Sequence, residues 1–587
     1  MSIRTPMHLV VAVVAATLLP AVPAAAAPAP PPGTTGTSSF LIGPASPAAR
    51  RGVAPDPGRL ADDLAAVGRA TGQRLTVARV LATGDLLVRA DRSLAPATTA
   101  AVLDRLRRRA DVGWAAPEAR LRADATPDDT RWTDQWDLHD PLGGVYAEPA
   151  WDTGADGAGV TVAVLDTGVT RHRDLAAHLV PGYDFVSSAA DARDGDGRDP
   201  DATDQGDWTE PGDCGDRFRP SSWHGTHVAG TIAAGRDNGT GIAGLAPGAR
   251  IQPVRVLGRC GGSTADLVDA IAWASGGNVP GVPENPTPAR VLNLSLGAPG
   301  ACDPATQAAV DGAVARGVTV VVSAGNAGAD AADYTPASCA GVVTVAASTL
   351  TGERAGYSNR GTDVDLAAPG GDQEHGVLST VDTGTTVAEG DGYAAYAGTS
   401  MAAPHVAAAA ALLLSRRPDL TPAELTGLLT RTARPTARPD ECRCGAGVLD
   451  VDLALRAATG DAGDTTRLLL QVGVRPGDPT VDRAGVHLAG TLGRLGTGLP
   501  DWDPAALPMR RVDPTGPYRT VLTVPSGTEL EYKYALGDWA HVEQDYTDSD
   551  AGCFDIANRR LTADAAGTVQ VVRDLTGSFR GVWPCDR

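Results

Sequence analysis

Gly398-Thr399-Ser400-Met401-Ala402-Ala403-Pro404-His405-Val406 leads into Ala407–Leu414, a run that is almost wholly apolar. No face of it is polar, so it reads as a buried helix. Arg416 and Arg417 place cations at its negative pole, and Pro418 stops it. Pro404 is expected in the first turn, where its missing N–H does no harm. Ser400 would then lie at the helix N-terminus, where backbone N–H groups lack intrahelical partners and the dipole favours negative charge. A nucleophile placed there has a donor ready for an oxyanion. Taken alone, Gly-Thr-Ser before a helix is equally an ordinary cap.

Two other stretches tip the balance. Val162-Ala163-Val164-Leu165-Asp166-Thr167-Gly168-Val169 is an apolar run of strand length that ends in Asp and then Gly. It reads as a buried parallel strand with a carboxylate at its C-terminal end, where open α/β sheets place their sites. Ser222-Trp223-His224-Gly225-Thr226-His227-Val228-Ala229-Gly230-Thr231 opens a helix of small residues with an imidazole at its start. Asp, His and Ser thus occur in chain order, each at an element boundary. A serine hydroxyl is a poor nucleophile until an imidazole takes its proton, and a carboxylate holds that imidazole's tautomer.

The motifs Asp166-Thr167-Gly168, His224-Gly225-Thr226-His227-Val228-Ala229-Gly230 and Gly398–His405 resemble those of the subtilisin-like serine proteases over roughly residues 126–458. The Cys positions look most like the secreted bacterial extracellular-protease branch. The resemblance implies catalytic roles for Asp166, His224 and Ser400. It also implies that Asn326, at the end of Val322-Ser323-Ala324-Gly325-Asn326, offers its amide to the oxyanion. It implies that Ser295, Leu296 and Gly297 line the substrate strand, to which an extended peptide would add by main-chain bonds. Asp333 would lie near the floor of the pocket for the residue before the cut, where a carboxylate favours Arg or Lys; the alternative is an Asp facing water.

The fold class expected is α/β: a parallel-sheet, subtilisin-like catalytic domain over 125–460, with a small α/β propeptide before it and a C-terminal β-sandwich after it. Strands are predicted at 161–165, 251–257, 290–296, 318–323 and 342–347, and helices at 225–234, 264–275, 304–316, 400–415 and 422–432. Residues 1–27 carry Arg4, an apolar core from Leu9 to Leu19 and a small-residue end, the pattern of a secretion signal. Residues 28–124 are expected to be a linker and an inhibitor or chaperone propeptide, cut between Arg120 and Thr126. Within it, strands are predicted at 75–80, 85–88 and 112–118, and a helix at 97–109. Residues 461–587 show strand-like runs at 467–474, 485–489, 518–524, 529–535 and 568–573.

The net charge of −20 excludes a nucleic-acid binder. Hydrophobic content of 43% with only 4% aromatics means that Ala, Val and Leu build the core. Six carboxylates between Asp191 and Asp204 suit an oxygen-seeking cation, and structural calcium is expected on Asp194, Asp196, Asp199 and Asp201. A solvated acidic loop is the other reading. His227 and His405 read as packing residues; a zinc site on His224 and His227 lacks the usual Glu and spacing. The eight Cys of an exported chain imply disulfides. Order and resemblance suggest Cys214–Cys260, Cys302–Cys339, Cys442–Cys444 and Cys553–Cys585. Trp502 and Trp539, in stretches that loosely resemble starch-binding domains, could stack on sugars or could be core aromatics.

Together these readings predict a secreted, monomeric serine endopeptidase made as a zymogen. Its partners would be protein substrates, its own propeptide and possible polysaccharide, with no organic cofactor and no membrane once the signal is removed. The rivals are a catalytically dead binding protein and a peptidase dedicated to one partner.

Overall fold

The computed structural model describes residues 37–44, 57–118, 126–582, 584 and 585, save short gaps at 82, 95, 110, 462, 464, 475–478, 496–497, 512–513 and 548–551. The expected signal at 1–27 and all but the end of the 120–126 cleavage stretch lie outside the described residues. The chain divides into two compact units, Met1–Arg122 and Ala123–Arg587.

In the first unit, helices Pro57–Thr71 and Pro96–Arg107 cover a four-stranded antiparallel sheet. Its strands lie in the order Leu75–Val80, Leu86–Leu94, Thr37–Pro44, Val112–Pro117. This is the split βαβ arrangement. Phe40, Ile42, Val88, Val102 and Leu106 form its core. The sequence reading did not find the first strand or the first helix.

The second unit is built around a seven-stranded, wholly parallel sheet. Its order is Leu366–Pro369, Val342–Ser348, Thr319–Ser323, Val291–Leu294, Thr161–Asp166, Arg250–Arg255, Tyr183–Asp184. Alternate side chains of each strand point to opposite faces. Val162 and Val164 therefore join the core under helices His224–Ala233 and Thr399–Arg416, while Ala163 and Leu165 join the core under Thr264–Ala274 and Pro304–Ala315. Burial on both faces is why these strands read as continuous apolar runs rather than alternating ones. The helix Thr399–Arg416 is buried from Met401 to Leu414. The short edge strands Tyr183–Asp184 and Leu366–Pro369, and the hairpin Val377–Asp382 with Asp391–Tyr396, had no clear signal in the chain.

After Thr459 the chain becomes β-rich. One four-stranded sheet carries Thr465–Gly473 between Tyr518–Pro525 and Val569–Leu575; the other carries His487–Gly490 and Glu529–Ala535. Leu468, Leu470 and Val472 from the first face Leu488, Leu530, Tyr532 and Tyr534 from the second in one core. Leu469 and Val521 point the other way and pack on Leu142 and Tyr146 of the parallel-sheet region. The sandwich is thus docked through a sheet buried on both sides.

Candidate active site

Asp166 ends its strand and is fully buried. Its Oδ1 accepts from the Thr167 N–H at 2.8 Å and from His224 Nδ1 at 2.7 Å. His224 opens its helix from Trp223, held in the left-handed region at φ 49° with its indole N–H donating to the Gly384 carbonyl. Close approach of this helix to the strand requires Gly225, since a Cβ there would sit 2.1 Å from the Gly168 carbonyl oxygen and 3.1 Å from Asp166 Cβ. Burial alone would push the His224 imidazole down, but the Asp166 carboxylate, by charge and hydrogen bond, and then Asp207 and Asp204 hold it above 6.5. With Nδ1 donating to Asp166, Nε2 is left as the basic nitrogen.

Ser400 lies in the first turn of Thr399–Arg416. Its hydroxyl donates to the Ser295 carbonyl at 3.2 Å. Contrary to the expectation from spacing, Pro404 falls in the second turn and is an interior proline. It has no N–H to give the carbonyl four residues back, which is that of Ser400. The buried Ser295 hydroxyl donates there instead, at 2.8 Å, and is itself bonded by Asn293 Nδ2 at 2.9 Å. So the Ser295 side chain is spent on positioning Ser400. The Asn326 Oδ1 accepts from both Thr399 N and Thr399 Oγ1 at 2.9 Å, which leaves Nδ2 as the other end of that amide beside the first turn of the Ser400 helix.

A carboxylate–imidazole pair and a serine at a helix start, all at the carboxyl ends of one parallel sheet, direct the comparison with known proteins. The model of the subtilase family matches residues 157–465. The chain belongs to the subtilase family. It is 49% identical over 399 residues to an extracellular protease of Xanthomonas campestris, covering 67% of each chain. It is 44% identical over 371 residues to an extracellular basic protease of Dichelobacter nodosus, covering 61% of this chain and 60% of that one. Among solved structures, one of proteases from Pseudoalteromonas arctica superposes with a TM-score of 0.55 at 48% identity, over 57% of this chain and all of that one. The subtilase is therefore a serine-type peptidase, a hydrolase. No comparison supports the resemblance of its C-terminal region to starch-binding domains.

Other residues of this subtilase singled out from the sequence fall as follows. Leu296 is half-buried and Gly297 exposed, continuing past the Val291–Leu294 strand. Asp333 is exposed on a short 3-10 turn, its main-chain carbonyl accepting from Gly300 N–H, so its carboxylate faces water. Carboxylate oxygens of Asp194, Asp196 and Asp199 lie within 4.8 Å of one another. Asp201 is not with them; its Oδ1 caps Thr203 N–H and hydroxyl. Arg255, buried, already reaches Asp194 Oδ2 at 2.9 Å and Asp184 Oδ2 at 2.5 Å, so the Asp194 carboxylate has a cationic partner of its own. A second cluster, Asp128, Asp129 and Asp237, was missed because Asp237 enters from a distant loop. There Asp129 is buried, its Oδ1 has no hydrogen-bond partner, and burial raises its carboxyl above the usual range.

The disulfides are Cys214–Cys260, Cys302–Cys339, Cys442–Cys444 and Cys553–Cys585. His227 is fully buried between the Val377 and Ala394 carbonyls, and burial lowers it to about 3. His405 bonds the Met401 carbonyl and Asp137 Oδ2 inside the core, pinning the Ser400 helix to the 126–140 segment. Trp502 and Trp539 are neighbours, ring centres 6.4 Å apart, and Trp539 is 41% exposed; neither belongs to the sandwich core.

Proposed function

We propose that the protein is a secreted endopeptidase that works through Asp166, His224 and Ser400 by an acyl-enzyme. His224 Nε2 takes the Ser400 proton as Oγ, turning away from the Ser295 carbonyl, attacks the substrate carbonyl; the same nitrogen then returns the proton to the leaving amine. Asp166 holds the imidazole and stabilises its cation. Asn326 Nδ2 and the Ser400 N–H stabilise the oxyanion. The observation that carries this reading is the 2.7 Å bond from His224 Nδ1 to Asp166 Oδ1, set beside the helix that begins at Thr399. Labelling with a serine-directed fluorophosphonate tests it: one label at Ser400, abolished in His224→Ala, is expected. Labelling elsewhere, or none, sinks it and favours the dead-protease reading.

The names of the two bacterial relatives support secretion. The first unit is read as a propeptide that inhibits and helps fold the enzyme, with a monomeric enzyme as product. The Leu296-Gly297 stretch offers a free edge for substrate main chain. Structural calcium is assigned to Asp128, Asp129 and Asp237, because a cation would satisfy the orphaned Asp129 Oδ1. Asp194, Asp196 and Asp199 fit it less well, with Arg255 in place. The exposed Trp539 beside Trp502 supports glycan stacking by the sandwich; retention of the full enzyme on granular starch, lost in Trp539→Ala, is the test.

A further inference from the structure

Behind the Asp166–His224 pair lies a carboxylate that the triad roles leave unused. Asp204 is 98% buried, being 2% exposed. Its Oδ2 accepts from the Thr167 hydroxyl at 2.6 Å and its Oδ1 from Gly206 N–H at 2.8 Å. Because the Thr167 hydrogen points to Asp204, the same oxygen is free to accept from Gly225 N–H at 3.0 Å. Thr167 also donates its own N–H to Asp166 Oδ1. One residue therefore joins the end of the Asp166 strand to the first turn of the His224 helix, and Asp204 sets the direction of that link. The stretch leading to Asp204 fits closely: Val169 N–H donates to the Ala202 carbonyl, and a Cβ on Gly168 (φ +98°) would meet Ala202 O at 2.7 Å and Asp204 N at 2.8 Å.

On the reading of the site given above, we propose that Asp204 is a positioning residue for catalysis, orienting Thr167 so that Asp166 and the His224 helix start are held in register, and adding negative charge behind the imidazole. The charged groups around it are Asp166 on the strand, His224 on the helix, Asp207 on its own loop and Arg255 on the neighbouring strand. Burial pushes Asp204 up to about 7, against the Thr167 and Gly206 bonds that lower it. It therefore gains its charge as pH rises through neutrality, the direction in which His224 loses its proton.

The test is the pH profile of kcat and KM for the wild type, Asp204→Asn, Asp204→Ala and Thr167→Val, with fluorophosphonate titration of each. Asp204→Asn keeps the shape and removes the charge. Its acid limb of kcat/KM should move to lower pH by a few tenths of a unit, with KM unchanged. Asp204→Ala should lose about tenfold to a hundredfold in kcat, the effect of a small misplacement of reacting groups. Thr167→Val breaks the link and removes a bond that lowers Asp204, so kcat should fall and the acid limb should move in the same direction as in Asp204→Asn. Wild-type limbs and kcat in all three overturn the proposal, as does a loss confined to KM. Should Asp204→Ala not fold, Asp204→Asn and Thr167→Val still decide. A wild type that does not label at Ser400 would instead overturn the underlying assignment of the triad.

Discussion

At the residue scale the site is ordered by side-chain atoms whose partners fix the orientation of their neighbours. Asn326 is the plainest case: two bonds from Thr399 consume Oδ1, so the amide cannot flip and Nδ2 is available to a developing negative charge. Asn326→Ala should lower kcat by about 10²–10³ with little change in KM, as loss of one oxyanion donor does; steady-state kinetics on a peptide ester checks this. His224 gives a pH prediction whose sign follows from its raised pKa. In the proposed role of general base His224 must be neutral, so activity should fall as pH drops through a value above 6.5, and the acid limb of kcat/KM should have its midpoint above 6.5. A midpoint well below 6.5 would show that Asp166 does not dominate the imidazole.

At the element scale, the end of one helix ties the two halves of the second unit together. Asp450 caps Val451–Thr459 through Leu453 N–H and also accepts from Arg434 and Arg467. Arg467 is the third residue of the first sandwich strand, its side chain is 2% exposed, and it reaches Asp452 as well. The Arg434 and Arg467 guanidinium carbons lie 4.6 and 3.7 Å from the centre of the Tyr146 ring. Removing one partner from such a buried set leaves charge uncompensated. Arg467→Ala should therefore cost about 3–5 kcal/mol in chemical denaturation. The apolar periods made the strand and the helix readable separately. They could not show that Arg467 points inward, because a lone Arg in a strand is usually solvent-facing.

At the scale of the molecule, two features join distant parts. Asp128 and Asp129 from the 126–140 segment meet Asp237 from the loop after the His224 helix. A cation there binds only the folded chain, so free calcium at about 100 times its Kd should add about 2.7 kcal/mol, and chelation should lower Tm correspondingly. In Asp129→Asn that calcium response should vanish. Arg510 of the sandwich forks onto both oxygens of Asp140 at 2.9 and 2.8 Å. Burial would raise Asp140, but the Arg510 bonds win and hold it below 3.8. A lowered carboxyl pKa means that this stabilisation is present above 3.8 and is lost as pH falls through the lower folded value. The Tm difference between wild type and Arg510→Ala should accordingly be constant near neutrality and close in acid. Because the sandwich covers Leu142 and Tyr146, deleting residues 465–587 should lower the Tm of the remaining enzyme.

The chain by itself determined the parallel sheet, the order Asp166, His224, Ser400, and the place of Asn326. Each is encoded locally: an apolar run ending in a carboxylate, an imidazole or hydroxyl just before a helix of small residues. The tertiary structure alone decided that Ser295 serves the Ser400 carbonyl freed by Pro404, that Asp204 stands behind Thr167, that Asp129, buried with its Oδ1 unpaired, meets Asp128 and Asp237, and that Arg467 is buried. A partner tens or hundreds of residues away leaves no periodic trace, and only burial decides whether a charged side chain meets water or another residue.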